Sequence, residues 1–271
     1  MTLSRSIKLG LTLVGVGYFA WKRYGKHFVA TNTETAEVTV QQHDEHGALF
    51  TPNSTTGVHI KHQGYQLSYN EQHEQAEWVA YTLNKNDFNR NKFKRPYFTN
   101  DPKVRTKSAD WKSYKKSGYD KGHLCPAGDR KSSKAAYNET FYTSNVSPQT
   151  HEFNAGIWHS LENKIRHWAA KNKQLYIVTG GVLTGELKTI GKRNKVSVPN
   201  YFYKIVLDYS SKPYKTIAFL MPHKASKRSI YNYVVSIDEI EKVTGIDFFS
   251  KLDDSLENKL EAQRNYQPWL L

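Results

Sequence analysis

The stretch "GYDKGHLCPAGDRK", Gly118–Lys131, carries the densest chemistry in the chain. Asp120, Lys121 and His123 put a carboxylate, an ammonium and an imidazole within four residues, and Pro126 and Gly128 stop an extended segment from running on. Just downstream, "FYTSNVSPQTHEFNAGIWHSLE", Phe141–Glu162, sets Asn145 and Asn154 ahead of a helical pattern and Glu162 inside it. Ile157, Trp158, Leu161, Ile165 and Trp168 recur at helical spacing through "AGIWHSLENKIRHWAAKNK", Ala155–Lys173. Positions four apart share a helix face, so Asn154, Trp158 and Glu162 are expected on one side, aiming an amide oxygen and a carboxylate at one point. Asn154 alone would serve as a helix N-cap, a role that competes for the same side-chain oxygen.

These residue types suit phosphodiester hydrolysis. That reaction needs a base to activate water, a cation to offset charge on the phosphoryl oxygens and a proton for the leaving oxygen. A histidine supplies the base, and a Mg²⁺ held by few protein ligands keeps waters that can act as the acid. Cys125 is the chain's one cysteine, so an internal disulfide is excluded, and no base is arranged beside it for a nucleophile's role.

Outward from this core, "YQLSYN" (Tyr65–Asn70) and "EWVAYTL" (Glu77–Leu83) alternate as paired strands do. "QLYIVTGGVL" reads as a buried strand entering a glycine turn, and "YFYKIVLDY" and "TIAFLMP" as two more strands. Ser236 and Glu239 in "SIDEIEKVTGI" form a capping box that opens a second helix. Strands and helices do not alternate regularly, which predicts a mixed α+β fold and not a doubly wound sheet.

Charge follows the same geography. The 271 residues carry a formal net charge of +14, yet Lys85–Lys134 holds fifteen Lys and Arg against five Asp, a net of +10. Ile237–Gln263 has three Lys against eight acids, a net of −5. A concentrated basic stretch fits an anionic partner better than a solubilising charge does. Tyr97, Phe98, Trp111, Tyr114 and Tyr119 interleave with it, either as half-buried anchors or as surfaces for base stacking.

Taken together, Asp120–His123, Ser144-Asn145 and Asn154–Glu162 resemble the DNA/RNA non-specific endonuclease family, the sugar-non-specific nucleases that include endonuclease G. The resemblance runs from about Gln63 to Glu261 and takes in "GYQLSY", "TSNVSPQ" and "TGGVL". It implies a mainly antiparallel sheet with flanking helices, a ββα-metal active site, and Mg²⁺-dependent cleavage of DNA and RNA that leaves 5′-phosphate ends, with Mn²⁺ as a substitute. By position it implies His123 as general base, its other ring nitrogen held by the carbonyl of Phe141. Asn154 would be the protein ligand to the metal and Glu162 would hold it through a water. Asn145 would serve a structural and phosphate-side role, and Arg95, in "KRPYFTNDP", would contact the scissile phosphate. It also implies that a homodimer is common. Lys121 stands where the family usually has arginine; it keeps the charge and loses the planar fork that grips phosphate in two places. The alternative that this departure favours is a catalytically weak nucleic-acid-binding protein.

Ahead of the domain, Leu9–Trp21 is an uncharged run flanked by Arg5, Lys8, Lys22 and Arg23. It is shorter than the roughly 20 residues of a membrane span. We read residues 1–26 as a signal or anchor segment, 27–58 as a linker and 59–271 as the nuclease domain. The chain is then exported, periplasmic or membrane-anchored, with a mitochondrial-type organelle as the alternative, since no acid precedes Glu34.

Overall fold

The structure, a computed structural model, describes residues 50–88, 91–210 and 212–270. The expected signal or anchor segment and most of the expected linker lie outside them. Residues 50–58 belong with the domain: Phe50 and Thr51 are buried, and the Trp78 indole donates to the Asn53 carbonyl at 3.0 Å.

A seven-stranded antiparallel sheet forms the centre, in the order β1-β2-β3-β6-β9-β10-β11. Its strands are β1 (His59–Lys61), β2 (Gln66–Asn70), β3 (Gln75–Leu83), β6 (Leu175–Gly181), β9 (Tyr201–Asp208), β10 (Lys215–Pro222) and β11 (Val234–Val235). Side chains alternate across a strand, and here both faces are apolar because both are covered. Val79, Tyr81, Ile177, Val206 and Phe219 enter one core, beneath helix α2 (His159–Lys171) with Leu161, Ile165 and Trp168. Trp78, Ala80, Val178, Ile205 and Ala218 enter a second core, against α3 (Ile237–Thr244) and α4 (Asp254–Glu261). The fold is therefore α+β, a twisted antiparallel sheet between two helical layers. The capping box of Ser236 and Glu239 is present, and Gly245 ends α3 at φ 72°, the left-handed conformation that favours glycine.

Two short elements sit apart from this sheet. Strand β4 (Asp120–His123) pairs antiparallel with β5 (Val146–Gln149), placing His123 opposite Val146. The small hairpin β7 (Lys188–Ile190) and β8 (Val196–Val198) lies beside β5 and shares a minor core with Tyr114 and Val146. Helix α1 (Lys134–Glu139), capped by Ser133, bridges β4 to β5.

Candidate active site

Strand β4, strand β5 and the helix after them form a ββα unit, and its local chemistry explains why the sequence reads as it does. Gly122 lies opposite Ser147, and a Cβ there would collide with the buried Gln149 side chain, so the position between Lys121 and His123 requires glycine. Asn145 clasps the unit. Its Oδ1 accepts from the Cys125 N–H at 2.9 Å and its Nδ2 donates to the carbonyls of Cys125 and Thr140, at 3.0 and 2.9 Å. The side chain is 0% exposed, with these bonds tying the Cys125 and Thr140 backbones together. Cys125 is buried as well, and burial pushes its thiol up to about 12, which keeps it from acting as a nucleophile.

The helix begins differently from the sequence pattern. It is already helical at His151 and runs through a π-helical turn, Phe153–Trp158, before α2. Asn154 is therefore not an N-cap: it lies inside the helix, its N–H donating to the Thr150 carbonyl at 2.9 Å. Gly156 leaves helical geometry, at φ −96° and ψ −112°, so the chain kinks between Asn154 and Glu162 and regular helical spacing does not apply across it. Across the kink, Asn154 and Glu162 line the same cleft. Trp158, expected beside them, is instead fully buried in the sheet-side core. His223 holds the start of this helix in place, accepting from the Thr150 N–H at 2.8 Å while its other ring nitrogen donates to the Pro199 carbonyl.

His123, Asn154 and Glu162 line one cleft of about 430 Å³, together with Phe88, His159 and Arg166. The His123 ring packs between Phe98 and Phe141, at 5.3 and 5.0 Å between centroids, and its Nε2 is buried without a partner. The contact with Phe141 is through the ring, not the expected carbonyl bond; the Phe141 carbonyl accepts from the Thr99 N–H instead. Burial pulls the His123 pKa down to about 4, against the opposing pull of Glu162 and with the help of Arg95. Asp120 Oδ2 accepts from Asn154 Nδ2 at 3.1 Å and lies 2.9 Å from His151 Nδ1. Because a carboxylate accepts and only the NH₂ end of an amide donates, that bond fixes the Asn154 orientation and leaves its Oδ1 as a free acceptor.

Beneath the cleft lies a charged network that sequence reasoning missed. Arg166 joins the buried Asp129 at 2.6 Å and stands 3.6 Å from Glu162, while His159 lies 3.8 Å from the same carboxylate. The nearby Glu162 carboxylate raises the His159 pKa. Lys204, in the middle of β9, is fully buried with its Nζ unpartnered 4.7 Å above the Trp158 ring. Burial lowers its pKa, with Glu162 first among the groups that oppose this. The available signal was a lysine inside the otherwise apolar "YFYKIVLDY". Arg95 and Lys121 stand beside Phe98, at 5.6 and 5.3 Å from its ring, and Arg95 is also 5.4 Å from the Phe141 ring. Burial and the neighbouring Arg95 lower the Lys121 pKa, and Asp120 opposes them. His123, Asn154 and Glu162 thus line one cleft, Arg95 and Lys121 lie beside the Phe98 ring that packs on His123, and Asn145 is buried.

The profile of the DNA/RNA non-specific endonuclease family matches residues 45–255. The chain belongs to that family. Among endonucleases of this family and related nucleases, it is 34% identical over 205 residues to mitochondrial nuclease EXOG of Danio rerio, covering 69% of this chain and 59% of that protein. It is 33% identical to nuclease C1 of Cunninghamella echinulata var. echinulata, with 72% and 84% covered, and 33% identical to a nuclease of Nostoc sp., with 75% and 77% covered. A solved EndoG/EndoGI complex, titled for the mechanism of EndoG inhibition, aligns at a TM-score of 0.68 and 27% identity, over 72% of this chain and 86% of that one. No helix among the described residues is long and apolar enough to cross a membrane.

Proposed function

We propose that the protein is a metal-dependent nuclease that hydrolyses phosphodiester bonds in DNA and RNA with little sequence preference and leaves 5′-phosphate ends. The observation that carries this reading is the meeting of His123, Asn154 and Glu162 at one cleft from separate elements of the ββα unit. The donor set fits a hard divalent cation: Asn154 offers a free amide oxygen and Glu162 a carboxylate that neighbouring cations approach no closer than 3.6 Å. Asn154 and Glu162 would hold Mg²⁺, with Mn²⁺ suited to the same oxygens. When bound, such an ion would offset charge on the phosphoryl oxygens and would acidify a water able to protonate the leaving oxygen.

His123 does the proton work. With Nε2 buried, Nδ1 is the ring nitrogen left to face the cleft, and a pKa near 4 keeps it neutral and able to accept at neutral pH. It takes a proton from the attacking water as the new oxygen–phosphorus bond forms. The bond to the 3′ oxygen then breaks, leaving phosphate on the 5′ side. Arg95 and Lys121, beside the same Phe98, hold the phosphate and resist its loss to solvent. Asp120 orients Asn154.

Relatives named mitochondrial support an organelle location over export or membrane anchoring. The function is tested by incubating purified protein with plasmid DNA and with RNA across a metal series. Nicking in Mg²⁺ that stops in EDTA, with 5′-phosphate at the new ends, is expected; no cleavage with any divalent ion refutes it. Lys121 favours a second reading, a weak enzyme that mainly binds nucleic acid. A large gain in cleavage by Lys121→Arg, with binding unchanged, would select it.

A further inference from the structure

A second concavity, of about 680 Å³, is lined in part by Phe98, whose ring also packs against His123. Its walls carry Lys94, Arg95 and Lys121 together with Tyr97 and Trp111. Of the five aromatics interleaved with the basic stretch, Tyr114 is buried, and Phe98 and Tyr119 are half-buried anchors. Tyr97 is 92% exposed and Trp111 42%. Two large aromatics left in water within one groove cost hydrophobic free energy that packing elsewhere recovers from their neighbours.

The groove is held open by rigid parts. Trp111 begins a single 3₁₀ turn, Trp111–Tyr114, which Asp110 caps by accepting from the Lys112 N–H at 2.9 Å. The turn is anchored at its other end by the buried Tyr114, whose hydroxyl donates to the Val146 carbonyl on β5. Pro96 fixes the backbone between Arg95 and Tyr97. Cations that can meet phosphates and aromatic faces that can meet bases therefore share one surface, and Phe98 and Lys121 connect it to the cleft.

We propose that this groove is a stacking subsite for an unpaired nucleobase next to the phosphate being cut, with Tyr97 and Trp111 as its platform. The inference rests on the nuclease reading and adds a substrate class: single strands, in which the π-face of a base is free to stack, gain from the groove, and intact duplexes gain only from its charges. Sequence preference stays low, because every base has a π-face.

The test is fluorescence anisotropy of a labelled single-stranded oligonucleotide, in EDTA so that no cleavage occurs, beside an abasic strand of the same length. Wild type is expected to bind the base-bearing strand more tightly. Tyr97→Ala and Trp111→Ala should each weaken that strand about tenfold and leave the abasic strand unchanged, with Trp111→Phe recovering most of the loss. The slope of affinity against salt should stay the same, because no phosphate contact has been removed. Tyr97 is nearly all in solvent, so its truncation removes no packing. Equal loss on both strands, or no loss in either variant, overturns the groove and leaves the nuclease reading standing. Wild type that binds neither strand overturns both. If the variants instead lose binding to phosphatidylserine vesicles while oligonucleotide affinity holds, the groove belongs to a membrane surface and the proposal fails.

Discussion

At the scale of single residues, the site depends on which atoms are already engaged. His123 acts only when neutral, so its lowered pKa of about 4 places the acid limb of activity there: kcat/KM should rise with pH through about 4 and level off well below 6.5. A limb at or above the ordinary histidine value would show that the ring is not desolvated in solution. Asn154 depends on Asp120 for its orientation. Asp120→Ala frees the amide to rotate and should raise the Mg²⁺ concentration for half-maximal cleavage by about 10- to 100-fold, the usual cost of losing a residue that orients a ligand. An unchanged metal requirement would mean that Asn154 needs no such support. The types of these residues were legible in the sequence because they are chemically distinctive. Their exact partners were not, since the Phe141 carbonyl bonds elsewhere and Asn145 is enclosed by Cys125 and Thr140, outcomes fixed by packing between distant segments.

At the scale of elements, the strands were legible as short runs rich in β-branched and aromatic residues, as in "EWVAYTL" along β3, where Trp78 and Val79 enter opposite cores. The helix was legible in its second half and misread at its start. Periodicity assumes unbroken helical geometry, and the kink at Gly156 breaks it. Beyond that kink Trp158 packs into the core, while Asn154 and Glu162 line one cleft. Strand β4 was visible only as chemistry, since four residues are too few to show a period. Its glycine gives a direct check: Gly122→Ala should lower stability by about 1–3 kcal/mol in chemical denaturation, through collision with Gln149. The double variant with Gln149→Ala should recover part of that loss, and no loss in the single variant would mean that β4 and β5 pack more loosely than described.

At the scale of the whole molecule, the two charged segments sit in different places and do different things. The basic stretch supplies Arg95 and Lys121 to the site, while the acidic one folds into α3 and α4. There Glu261, 6% exposed, has its pKa raised to about 8 by burial and by Glu241, Glu257, Asp238 and Asp247. A carboxyl group whose folded pKa is raised binds its proton more tightly when folded, so its contribution to stability is present at low pH and lost as pH climbs from 4.5 to about 8. Glu261→Gln should therefore stabilise the protein above pH 8 and change its stability little near pH 4, read from denaturant midpoints. A gain independent of pH would assign the effect to packing. The net charge alone pointed to an anionic partner; the fold gives that charge a cleft, with His123 at its centre. Plasmid cleavage in Mg²⁺, with wild type and His123→Ala side by side and both verified as folded by circular dichroism, tests the role of His123. Wild type is expected to cut and His123→Ala to lose nearly all activity; a folded His123→Ala that cuts as fast as wild type contradicts His123 as the general base.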